Sequence, residues 1–105
     1  MSTVLILCTC PDGPAGDGIA SALVAERLAA CVNRVPGVSS TYRWKGEVCR
    51  DTEQLLLIKT TRERFEAVRD RILALHPYEL PEVIAVDITR GLDRYLSWIG
   101  SETGA

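Results

Sequence analysis

Two prolines four residues apart, Pro77 and Pro81 in Leu75-His76-Pro77-Tyr78-Glu79-Leu80-Pro81-Glu82, restrict this chain more than any other feature. Each proline pushes the residue before it out of the α region, so His76 and Leu80 are expected to be extended and a helix arriving from upstream must end near Leu75. The segment is a stiff link that holds the only histidine of the chain, together with Tyr78, Glu79 and Glu82, in a nearly fixed arrangement. Read structurally, it stops a helix and launches a strand, with His76 as a cation at the helix end. Read functionally, its rigidity spares the ordering cost of binding something.

On either side of this link, strand and helix patterns alternate. Residues 3–9 form a continuous apolar run rich in β-branched side chains, closed by Pro11-Asp12-Gly13-Pro14, which reads as a central strand buried on both faces. Ile19, Ala20, Leu23, Val24 and Leu28 recur at helical spacing to about Ala30, with the helix start at Asp12 or Asp17. Residues 31–35 are extended, Pro36-Gly37 marks a bend or bulge, and the strand pattern resumes over 38–49. There, period two sends Tyr42 and Trp44 to one face and Arg43 and Lys45 to the other. Arg50-Asp51-Thr52 is expected to turn the chain into a second strand over 54–59, giving an antiparallel hairpin whose first arm is the longer. Such an excess of unpaired backbone must be covered, blunted or paired with another chain.

Thr60-Thr61-Arg62-Glu63 matches a capping box with Thr60 as the cap, and Phe65, Val68, Ile72 and Leu75 then mark one helical face. Residues 83–88 read as another buried strand. Leu92, Tyr95, Leu96 and Ile99 describe a closing helix, and residues 100–105 are expected to be a flexible tail. The order β-α-β-β-α-β with one extra C-terminal helix is the split βαβ plan of a ferredoxin-like α+β domain. Helices cover one face of its antiparallel sheet, and the other face needs an apolar partner, which points to an oligomer.

A chain of 105 residues has room for one domain, residues 1–105, around one core. Its 47% hydrophobic and 25% charged residues are the balance of an ordinary globular protein, which excludes disorder. The net charge of −2 comes from interspersed acids and bases, so there is no positive field to hold a phosphate backbone, and nucleic acid is excluded as a partner. The apolar run at residues 4–8 is too short for a signal-peptide core or a membrane span, and the chain reads as cytoplasmic. Cys8, Cys10, Cys31 and Cys49 lack the paired spacing of a zinc site and read as reduced, small, buried side chains. Cys8 and Cys10 project to one face of their strand roughly 6.6 Å apart, and could share a metal only if the strand bends. No nucleophile elbow, glycine-rich phosphate loop or H-E-x-x-H motif is present, so the chain is not read as an enzyme.

Five stretches, Leu28-Ala29-Ala30-Cys31-Val32-Asn33, Ser40-Thr41-Tyr42-Arg43-Trp44-Lys45-Gly46, Leu57-Ile58-Lys59-Thr60, the segment from His76 to Glu82, and Tyr95-Leu96-Ser97-Trp98-Ile99, together resemble the CutA divalent-ion tolerance family. The resemblance spans nearly the whole chain. It implies a ferredoxin-like subunit forming a homotrimer, with long hairpins pairing between subunits, and a role in tolerance to copper and other divalent cations. The metal contacts it implies fall on Cys8 and His76, with Glu79 and Glu82 able to complete a mixed site at a subunit cleft. Some relatives carry a second histidine where this chain has Leu75. A second reading follows from the similarity of this plan to the PII nitrogen-regulatory proteins, trimeric sensors that bind small ligands between subunits. Tyr42, Trp44, Lys59, Tyr78 and Glu82 would line such a cleft, or else pack an interface.

Overall fold

The strand-forming runs assemble into one four-stranded antiparallel sheet in the computed structural model, which describes residues 2–104. Strands β1 (Thr3–Pro11), β2 (Cys31–Trp44), β3 (Glu47–Thr61) and β4 (Ile84–Asp87) lie in the order β2-β3-β1-β4. Helices α1 (Pro14–Ala25), α2 (Phe65–Leu75) and α3 (Asp93–Glu102) complete the fold. Because β1 lies between β3 and β4, and β3 between β1 and β2, two split βαβ units interlock as the ferredoxin-like plan requires.

Period-two alternation along β1 decides where the core lies. Val4, Ile6, Cys8 and Cys10 are buried on one face, where Leu56 and Ile58 of β3, Ile19 and Leu23 of α1, and Val68 and Ile72 of α2 meet them. Each fully buried aliphatic side chain there contributes about 1.5–3 kcal/mol. The opposite face is not covered. Leu5 and Leu7 are half-buried beside their register partners Val86 and Ile84, which are 48% and 51% exposed. The expectation of a strand buried on both faces is thus met by helices on one face only.

Local chemistry sets the element ends. Gly13, at φ 113, precedes Pro14, whose missing N–H costs nothing in the first helical turn. Helix α1 stops at Ala25 rather than near Ala30, because Arg27 adopts a left-handed φ of 60 and the Leu28 and Ala29 amides both donate to Leu23 O. Thr60 is not a helix cap. It belongs to β3, and its buried hydroxyl donates to Leu28 O at 2.6 Å, so the chain enters α2 through a 3-10 turn at Arg62–Arg64 without a side-chain cap. At the other end of α2, His76 is extended (φ −76, ψ 135), as Pro77 demands.

The hairpin turns at Lys45-Gly46, with φ values of 50 and 83, and not at Arg50-Asp51-Thr52. A two-residue loop with both residues at positive φ matches the strand twist. Arg50, Asp51 and Thr52 instead pair with Thr41, Ser40 and Ser39 inside the ladder. The arms are therefore of similar length, 14 and 15 residues. The surplus lies in both together, since β1 pairs with β3 only as far as Glu53 and residues 39–52 extend beyond it as a free arm. A bulge interrupts the register between Val35 and Val38, at the Pro36-Gly37 pair, as expected.

Residues 100–104 are ordered by packing rather than frayed. Gly100 and Thr103 are buried, Arg64 Nε donates to Thr103 O at 2.7 Å, and Arg27 Nη2 donates to Ser101 O at 2.9 Å. Two guanidinium groups thus satisfy carbonyls at the end of α3, a tertiary arrangement that small polar residues do not announce. Ala105 lies outside the described residues. Among those described, no helix is long and apolar enough to cross a membrane.

Candidate functional site

The proline corner is fastened to the sheet by two side chains. β4 ends opposite Leu7, and two residues farther along β1 the His76 ring takes up the bonding, with Nε2 2.8 Å from Thr9 O. Its other nitrogen, Nδ1, accepts the Tyr78 amide at 3.1 Å. A carbonyl can only accept and an amide N–H can only donate, so the ring is the neutral tautomer with its proton on Nε2 and both nitrogens are engaged. The His76 and Tyr78 rings lie 4.7 Å apart at a tilt of 53°. Tyr78 Oη then donates to Glu53 Oε2 at 2.7 Å, tying the corner to β3. Burial, that bond and the negative charge of Glu53 all raise the Tyr78 phenol above its ordinary range.

Facing this corner is the free hairpin arm of the same chain. Period two places Ser40, Tyr42 and Trp44 on one face opposite Asp51, Cys49 and Glu47, and the Tyr42 hydroxyl bonds the diagonal Asp51 carboxylate. That bond pushes the Tyr42 phenol up to about 12. Between arm and corner lies a cleft of about 790 Å³ whose lining includes Thr9, Tyr42, Arg43, Trp44, Glu53, Tyr78, Glu79 and Glu82. Lys45 bridges its mouth, with its ammonium 5.6 Å from the Trp44 ring centroid and 4.0 Å from Glu79. Corner and arm of one chain together line this cleft.

Of the residues singled out in the sequence, Tyr42, Trp44, Tyr78, Glu79 and Glu82 come together in this cleft. Lys59 does not. It lies six residues beyond Glu53 on β3, roughly 20 Å at the rise of a strand, beside Asn33 and Cys31. Cys8 is also outside, fully buried on the helix-covered face of β1. Burial first, then the charges of Cys10, Glu82 and Glu53, push its thiol up to about 12, so that the strand holds it as a protonated thiol away from the cleft. With both His76 nitrogens spent as well, the Cys8, His76, Glu79 and Glu82 set does not fit a copper centre as placed. Among the described residues, no three His, Cys, Asp or Glu side chains are arranged to hold a metal ion. All four cysteines are free thiols.

Glu53 and Thr9 are the residues that sequence reasoning missed. Glu53 is a nearly buried carboxylate at the end of the β1–β3 pairing, and its only sequence signal is an acid just ahead of an apolar strand.

Residues 4–102 match the CutA1 divalent ion tolerance protein family. The Divalent-cation tolerance protein CutA of Thermus thermophilus is 51% identical over 100 residues, covering 95% of this chain and 97% of that protein. Protein CutA, chloroplastic, of Arabidopsis thaliana is 45% identical over 101 residues, which are 96% of this chain but 56% of that longer relative. The solved structure of the PII-like protein CutA from Nostoc sp. PCC 7120 in apo form superposes with a TM-score of 0.89 at 39% identity, covering 99% of this chain and 98% of that one.

Proposed function

Because this chain belongs to the CutA1 divalent ion tolerance family, we propose that it serves divalent-cation tolerance as a cytoplasmic homotrimeric sensor or scaffold, each subunit binding a small ligand in its proline-corner cleft. The observation that carries this reading is the cleft itself. Aromatic walls and a few polar groups are held in place by His76 on Thr9 and Tyr78 on Glu53, so little ordering remains to be done on binding. The bare apolar face around Leu5, Leu7, Ile84 and Val86 supports self-association, which would cover it. Likeness to a PII-like protein supports the sensor role. No reaction is assigned to the chain.

Direct ion capture is the second reading, favoured by the excess of carboxylate along the cleft, although Glu53, Glu79 and Glu82 are not arranged as one ligand set. Oxygen donors of that kind suit hard divalent cations better than copper. The test is a thermal-shift screen of small ligands against chelator-treated protein and a Trp44→Ala variant. A ligand present at 100 times its Kd stabilises by about 2.7 kcal/mol, and the rise is expected to vanish in the variant. A rise that survives Trp44→Ala, or none with any ligand class, refutes the cleft as the binding site.

A further inference from the structure

The mouth of the cleft already carries a cation, and that cation is supplied by the chain. Lys45 places its ammonium between the face of Trp44 and the carboxylate of Glu79. A π-face and a carboxylate are the two groups that recognise an ammonium ion. The hold is weak, because the Lys45 and Glu79 side chains are 73% and 75% exposed and such pairs gain little in water. Deeper in, the Tyr42 and Tyr78 hydroxyls both donate to carboxylates, Asp51 and Glu53, which enriches their rings in electron density. Arg43 is the one cationic side chain lining the cleft, against Glu53, Glu79 and Glu82.

We propose, resting on the reading of this cleft as the ligand site, that its ligand is a small organic cation, an amine or quaternary ammonium, which displaces Lys45 from Trp44 and Glu79. A hydrated metal ion would use the carboxylates and gain little from the aromatic walls. A nucleotide or other anion would meet an excess of negative charge.

Isothermal titration of the full-length protein at low salt, with putrescine and choline as probes and ATP and magnesium as comparators, tests this. Lys45→Gln removes the internal competitor and is expected to tighten putrescine or choline binding about five-fold, the order given by one exposed cation–π contact and one exposed ion pair. Lys59→Gln makes the same charge change far from the cleft and is expected to leave affinity unchanged. Trp44→Leu is expected to weaken binding about ten-fold while magnesium heats stay unaltered. Equal tightening in the Lys45 and Lys59 variants would reduce the effect to net charge and overturn the displacement. Binding of ATP that Trp44→Leu abolishes, with no heat from either amine, would overturn the cationic class but keep the cleft as a ligand site. Silence of all four probes in wild type and Lys45→Gln overturns the proposal, and the thermal-shift screen then decides separately whether the cleft binds another class.

Discussion

Replacing His76 by alanine separates a structural fastening from a metal ligand. The substitution removes two hydrogen bonds, to Thr9 O and from the Tyr78 amide, each contributing about 0.5–1.5 kcal/mol net. It also removes the tilted ring contact with Tyr78, about 0.5–1.5 kcal/mol. The ring is 8% exposed, so its loss leaves a gap, but Tyr78 is half-exposed and water can reach its freed amide, which limits the desolvation penalty. The sum is about 3 kcal/mol. In urea at matched protomer concentration and with chelator present, that corresponds to a midpoint lower by about 1.5 M for an m value of about 2 kcal/mol/M. An unchanged midpoint would refute the fastening. The same variant distinguishes the ligand role, because nitrogens already spent on Thr9 and Tyr78 have nothing to give an ion. Copper titration is expected to give equal affinity for wild type and His76→Ala, and weaker binding in the variant would show that the ring leaves its partners for the metal.

Two further outcomes follow from burial. Cys8 titrates at about 12 when folded against 9.0 for a free thiol, so the folded state holds its proton longer. The stability this confers is complete below pH 9 and is lost as pH rises from there to about 12. Unfolding free energy should fall with a slope of up to about 1.4 kcal/mol per pH unit from this group, and a Cys8→Ala variant, although less stable overall, should show a shallower alkaline slope. An unaltered slope would mean that the thiol ionises freely. On the bare sheet face, Ile84→Asp with Val86→Asp puts two charges where an apolar partner is expected. Light scattering should report a monomer for the variant and a trimer for the wild type, and a variant that stays trimeric would place the interface elsewhere.

What the sequence revealed was whatever chain neighbours decide. The apolar run of β1, the bulge at Pro36-Gly37, the helix face of Phe65, Val68 and Ile72, and the extended His76 before Pro77 are all fixed within a few residues. What it hid was settled at long range. Asp51 carries turn chemistry, yet its carboxylate has a tertiary use on Tyr42, while Lys45-Gly46 turns the chain without the usual Asn or Asp. Thr60 has the look of a cap, but its hydroxyl reaches Leu28, 32 residues away. The site divides in the same manner. Tyr78, Glu79 and Glu82 share one rigid segment and arrive together, whereas Lys59 belongs to the far end of a strand whose near end, Glu53, carries the contact.

The Cys8 and His76 pair shows why nearness does not make a ligand set. His76 bonds the carbonyl of Thr9, the very next residue after Cys8, so the two are close along the chain of contacts. Yet the pleat of β1 turns Cys8 towards the helices, and reaching it from the cleft would require the strand to slip by one residue or to open. A slip would carry Val4 and Ile6 out of the core with it, at about 1.5–3 kcal/mol each before the cost of breaking the ladder is counted. An ion that captured Cys8 would therefore bind an opened state in preference to the native one, and by mass action it would destabilise the fold. A protein that met ions in that way would lose its structure in doing so, whereas the cleft can take a ligand with the core intact. The site proposed at the cleft requires no such opening of the strand.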